Sequence, residues 1–389
     1  MTHHDQYIAF AISRWLGATF AASATVVGAG TILDIFFLHE RGLAFAIFGV
    51  ATLFGVQFGG TTSGYIVEFV PWPVQFWWTA GALATVILLA AFVMPHTDYP
   101  RTSESGAESV SAVVPQRSYV QDRIATLFPG SAVVYSTPEK RDITAPFLIL
   151  VSPVTLITGF FLFVAFAWVV AVSTLLAVFL QTPVKEGGYG YTPLQNADFT
   201  FCQWAGVFLA ECYVALLQDR IPLMVCQRRG GVWRPEYRLV TLIPLICLLV
   251  IGLGIFGSAL QYHLSIGALA VGIILIDWAG SGIVPILNNY LSESFTHHPI
   301  HASAALNFYR LLLGLTVPFF IDPWTASVDV GWAFGMMAFF TLFAAGGLAL
   351  LGFKGREIRA MTFKHLQSSE DGEVVKKVSD SDTEMVTKE

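Results

Sequence analysis

Nine stretches of the chain are apolar over about 20 residues or more, the length an α-helix needs to cross the hydrocarbon core of a bilayer. They cover residues 8–33, 42–65, 74–94, 147–181, 198–218, 239–257, 265–290, 303–321 and 331–353. In lipid every backbone N–H and C=O must be satisfied within the segment, so each stretch is expected to be a helix and the chain an all-α membrane protein. Composition agrees. The chain is 55% hydrophobic and 12% charged, whereas a soluble domain is about 45–50% apolar and about 25% charged. The first stretch contains Arg14, is too long for the apolar core of a cleavable signal peptide and has no basic flank, so it is expected to remain as a span.

The positive charges divide unequally between alternate loops. One side holds Arg41, then Arg101, Arg117, Arg123, Lys140 and Arg141, then Arg220, Arg228, Arg229, Arg234 and Arg238, then seven more from Lys354 onward, 18 in all. The other side holds Lys185 alone, and Arg14 and Arg310 lie inside spans. Basic loops stay in the cytosol. The C-terminus is therefore expected to be cytosolic, and with nine spans residues 1–7 are expected outside.

Two polar regions interrupt the pattern. Residues 95–145 read as a cytosolic linker with one weakly apolar stretch at 124–128, and residues 354–389 as a solvated tail, expected to be disordered beyond Gln367. The expected organisation is a three-span partial bundle (1–94), the linker, a six-helix bundle (146–353) and the tail.

Several function classes fall away. The four cysteines form no C-x-x-C pair, which removes a zinc ribbon or a disulfide framework. The net charge is −6, and no basic patch or glycine-rich phosphate loop is present, so no nucleic-acid partner is expected. His297, His298 and His301 form a single histidine cluster, whereas a two-metal site needs several. No metal, no cofactor and no catalytic residue is expected; the chain does not read as an enzyme.

Four features carry polar chemistry into this apolar background. The second span places Gly49, Gly55, Gly59, Gly60 and Gly64 around Gln57; small residues at such spacing let helices approach closely in lipid. The loop between the fifth and sixth spans orders Asp219 and Arg220, then Arg228 and Arg229, then Glu236 and Arg238. Such a set can link helix ends by charge-assisted hydrogen bonds, although positive-inside anchoring explains the arginines equally well. Inside the spans stand Arg14, Glu211, Asp277 and Arg310. A charge at the bilayer centre costs roughly 2.5–3.5 kcal/mol on insertion scales, so such groups face a cavity or a partner. Asp277 lies midway along its span on one stripe with Ser281 and Asn288; Arg310 shares a stripe with Ser303, Asn307 and Gly314. Glu211 and Arg310 are at similar depth, which permits a pair. The aromatics Trp168, Trp204, Trp278 and Tyr309 suit either a partly apolar ligand or helix packing.

The chain resembles the major facilitator superfamily, in particular its fungal proton-coupled antiporter-like members, at four places. Asp34 through Glu40-Arg41-Gly42 looks like the loop after the family's fourth helix, and Gly55-Val56-Gln57-Phe58-Gly59-Gly60 is similar to the fifth-helix antiporter motif, with Val56 where that motif has proline. Trp72-Pro73-Val74-Gln75-Phe76-Trp77 resembles the entry to the sixth helix. Asp219-Arg220 through Pro235-Glu236-Tyr237-Arg238-Leu239 looks like the cytosolic loop between the eighth and ninth helices. Arg14-Trp15-Leu16-Gly17 has one residue fewer than the fourth-helix motif. Aligned this way, the nine spans correspond to the second half of the N-terminal bundle and an entire C-terminal bundle, either as a shortened relative or as a true nine-span protein.

The resemblance implies a monomeric secondary transporter of the plasma membrane that exports a small organic molecule in exchange for protons. Uptake of a small solute or organic cation, and an inserted remnant that does not transport, are the alternatives. Asp277 and Glu211 are the candidates for proton coupling; Gln57, Trp204, Ser281, Asn288, Asn307 and Arg310 for the substrate path; and Asp219, Arg220, Arg228, Arg229, Glu236 and Arg238 for a gating loop.

Overall fold

The computed structural model describes residues 4–35, 41–93, 146–184, 188–295 and 299–386. The linker, its 124–128 stretch, Glu40 and the first two histidines of the cluster lie outside the described residues. Within them the chain is helical and free of strands. The elements are α1 (His4–Ile35), α2 (Arg41–Phe69), α3 (Pro73–Val93), α4 (Pro153–Gln181), α5 (Pro193–Leu217), a short α6 (Arg220–Arg228) and a 3-10 turn (Pro235–Thr241). They continue with α7 (Leu242–Gln261), α8 (Ile266–Ser294), α9 (Pro299–Val328) and α10 (Val330–Val386). Seven helices among the described residues are long and apolar enough to cross a membrane, and in α1 the apolar run is the shorter 8–21. The chain is a multi-pass membrane protein.

Local chemistry sets the helix starts. Ser152 caps α4 by accepting from the Thr155 amide, with Pro153 at the first helical position, where its missing N–H costs nothing. Thr192 and Gln195 close a reciprocal capping box at the start of α5, again followed by proline at 193. One boundary differs from the sequence reading. Helix α10 runs to Val386, past the Gln367 limit expected for order; Glu373 and Lys377 stand at the i,i+4 spacing that favours a helix even in polar sequence.

The chain divides into two compact units, residues 1–51 with 62–139 and residues 52–61 with 140–389. In the first, the Arg14 guanidinium lies over the Phe76 ring at 5.6 Å and Phe10 meets the same ring edge-on at 5.7 Å, so Arg14 acts in packing there.

The second unit is built around α8, which packs against α7 and α5 and also meets α9 and α4; α9 lies on α4, and α10 on α7 and α4. Glycines allow these approaches. A Cβ on Gly252 would come within 3.1 Å of the α8 backbone at Ile276, and one on Gly272 within 3.0 Å of the α7 backbone at Phe256. In lipid, where apolar surface gains nothing by leaving water, such close backbone contact is a main source of association. The middle of α2 belongs to this unit. Thr61 and Thr200 hydroxyls are 2.6 Å apart, and the Trp204 indole N–H donates to Thr61 Oγ1 at 3.0 Å.

Candidate translocation path and helix-end charge network

Asp277 sits on α8, eleven residues from the helix's N-terminal end, or about 16 Å at the helical rise of about 1.5 Å per residue. It is 3% exposed. Gln203 of α5 is its polar neighbour, and Gly206, one turn further along α5, lets the two helices close around it. Its oxygen Oδ2 has no hydrogen-bond partner among the described residues. A buried carboxylate with an open oxygen can take a proton without rebuilding its surroundings.

The other candidates on α8 continue this polar stripe. Pro285 lacks an N–H, so the Ser281 carbonyl loses its helical partner beside the half-buried Ser281 side chain. Asn288 is half-buried, and its Oδ1 has no partner among the described residues.

Arg310, on α9, is eleven residues from the helix's N-terminal end, again about 16 Å by the same rise. Its guanidinium lies 5.0 Å from the centre of the Phe166 ring of α4, and Nε has no acceptor among the described residues. Asn307, one turn away, donates to the Ser303 carbonyl at 3.1 Å. The Glu211–Arg310 pair that similar depth permits does not form among the described residues. Glu211 is on α5, which lies against α8, while α9 lies against α4, so equal depth did not mean adjacency. A cation–π contact contributes about 0.5–2 kcal/mol, less than the roughly 2.5–3.5 kcal/mol insertion cost of the charge.

Trp204 sits in an aromatic cluster beside Thr61, one turn from Gln57. The Trp204 ring contacts Phe54, Phe58 and Phe201 at 5.5–6.1 Å, and its N–H is used by Thr61; the Gln57 carbonyl accepts from Thr61 at 3.1 Å, and its side chain is half-buried. Trp168, nearly buried on α4, instead joins Trp324 of α9 and Phe340 of α10 at 6.0 and 6.3 Å.

At one end of the second unit the charges assemble into two linked sets. Arg238 binds Asp219 at 2.8 Å through Nη1 and Glu293, in the last turn of α8, at 2.6 Å through Nη2. Gln218 receives a hydrogen bond from Asn289 at 3.0 Å. On the other face of the 3-10 turn Glu236 pairs with Arg359 of α10 at 2.6 Å, and Gly355 gives way to it, since a Cβ there would fall 2.7 Å from the carboxylate. Arg229 lies over Tyr237 at 5.9 Å, whereas Arg220 and Arg228 are exposed. The pairings draw α6, the turn, α8 and α10 together. Glu293, Arg359, Gln203 and Asn289 were not singled out from the sequence. A carboxylate in the last turn of a helix, against the macrodipole, was the available signal for Glu293, and an amide inside an apolar span the signal for Gln203.

Comparison with known proteins gives the family. Residues 1–318 match the sequence profile of the Major Facilitator Superfamily. Among curated relatives, the efflux pump radE of Floropilus chiversii is 25% identical over 92% of this chain and 64% of its own length. The MFS transporter cpaT of Aspergillus oryzae is 24% identical over 90% of this chain and 69% of its own. The efflux pump vrtL of Penicillium aethiopicum is 25% identical over 93% and 69%. The chain thus spans slightly under two thirds of the length of the first of these. No solved structure matches. On the profile match across most of its length, the chain belongs to the Major Facilitator Superfamily.

Proposed function

We propose that this protein exports a small organic molecule across a membrane in exchange for protons, with Asp277 as the proton-carrying group. The observation that carries the reading is the Asp277 site: a carboxylate enclosed in mid-span, with Gln203 as its polar neighbour and its Oδ2 without a hydrogen-bond partner among the described residues. Ionising such a group is expensive in a dry setting and easy when a water-filled path reaches it. A site exposed to alternate sides by rocking of one bundle against the other would load a proton outside and release it inside. The names of the relatives, two of them efflux pumps, support the outward direction. The Asp219–Arg238–Glu293 set supports a role for the loop in that motion, because it ties helix ends of one bundle together so that they can move as a unit.

A resistance screen tests this reading against its alternatives. Yeast lacking its own broad efflux pumps and expressing the chain should tolerate some toxic organic compounds better than controls, and a protonophore should remove the gain. Hypersensitivity would indicate uptake instead, and an unchanged profile with protein present in the membrane would indicate a chain that inserts without transporting.

A further inference from the structure

Arg310 stands out as a fixed cation in mid-span that nothing on the neighbouring helices neutralises. Among the described residues no carboxylate lies within 4.0 Å of it. Glu211 belongs to α5, which does not pack on α9; Asp277 is enclosed between α5 and α8; Asp322 is twelve residues further along α9, about 18 Å away along the helix. The guanidinium does not deprotonate in proteins. It is held in place by Phe166 beneath it, and its Nε is an unused donor.

The surroundings on α4 are aromatic. Phe160, Phe163 and Phe166 follow one another at three-residue intervals, and Phe160 and Phe163 stack at 6.3 Å with ring planes 20° apart. Gly159 lets the Tyr309 ring pack against α4, and the Tyr309 hydroxyl is tied to the Leu150 carbonyl at 3.0 Å, which fixes α9 beside this row. Ser303, Asn307 and Arg310 form a half-buried polar stripe on α9, and Arg310 meets the last of these rings, Phe166.

We propose that Arg310 and the Phe160–Phe163–Phe166 row form a binding site for an organic anion with an aromatic body, the planar guanidinium taking the carboxylate and the rings taking the apolar part. Arginine suits this task because its fork of donors matches two carboxylate oxygens. The proposal rests on the transport reading only in making this anion the cargo. Export of a monovalent anion in exchange for one proton moves two positive charges inward per cycle, so an inside-negative potential drives it from both partners.

Equilibrium dialysis of radiolabelled 1-naphthoate against the purified full chain in phosphatidylcholine nanodiscs tests the site without requiring transport. Saturable binding is expected, displaced by unlabelled 1-naphthoate and not by the neutral 1-naphthamide. Arg310→Gln, if monodisperse, should weaken it about tenfold or more, the scale of a lost charge-assisted pair, while Arg310→Lys keeps part of it. Phe166→Leu, which leaves the charge, should weaken it less. Absence of saturable binding, equal displacement by the amide, or wild-type affinity in Arg310→Gln overturns the proposal. If phosphatidylglycerol in the nanodisc abolishes the Arg310-dependent component, a lipid phosphate occupies the site and the cargo assignment falls. Arg310-dependent binding together with failure of the resistance screen would leave the anion site standing and remove only the efflux reading.

Discussion

Gly206 of α5 and Asp277 of α8 meet so closely that a Cβ on Gly206 would lie 2.8 Å from the Asp277 Cβ. The same added atom would lie 2.8 Å from the Ile274 carbonyl oxygen, which is backbone and cannot swing aside. Gly206→Ala should therefore push α5 from α8 at a cost of about 1–3 kcal/mol, the usual range for overpacking. A lowered unfolding temperature in detergent, with a larger proportional loss of transport, is the expected outcome; an unchanged melting curve would show that the helices have slack here.

The two carboxylates on Arg238 should not be equivalent. Asp219 is 63% exposed and Glu293 31%, so solvent screens the first more strongly. Asp219→Asn is expected to change stability by about 0.2–1 kcal/mol, as exposed pairs do, and Glu293→Gln by more. If the loop gates the cytosolic side, Asp219→Asn should still alter the transport rate well beyond its effect on the amount inserted. Normal turnover in that variant would reduce the loop to an anchor.

Glu236 is 7% exposed and its cation is Arg359. Removing Arg359 alone leaves a buried charge and should cost about 3–5 kcal/mol, whereas replacing both by apolar residues should be far milder. A double-mutant cycle of Glu236→Leu and Arg359→Met, read by thermal unfolding, measures the coupling. Additive losses would mean that the two side chains contribute separately.

Sidedness is testable independently of transport. A glycosylation acceptor inserted in the 182–197 loop should be modified in a eukaryotic host, and one in the 219–238 loop should not. The reverse pattern would invert the orientation read from the 18 cytosolic basic residues.

Much of this molecule is legible before any coordinate is drawn. Apolar length marks the long helices, and the run from Asp219 to Arg238 shows as a charge set because opposite signs stand together in one loop. Neighbour order among helices of similar hydropathy is not legible, which is why depth suggested a Glu211–Arg310 pair that the packing of α5 on α8 and α9 on α4 does not allow. Glu293 and Arg359 were hidden for a related reason: their partners lie 55 and 123 positions away, and each by itself looks like an ordinary helix-end charge. Trp204 reads from sequence as a path residue; Thr61 and Thr200, polar groups on two different apolar helices, are what bind it into packing.

The central claim is that Asp277 carries the proton. Asp277→Asn keeps the shape of the side chain beside Gln203 but cannot ionise. In proteoliposomes, with a substrate identified by the resistance screen, this variant should lose transport driven by a pH gradient while retaining downhill exchange of labelled for unlabelled substrate. Gradient-driven transport at the wild-type rate in Asp277→Asn would contradict the account and pass the role to another group, with Glu211 the next to test.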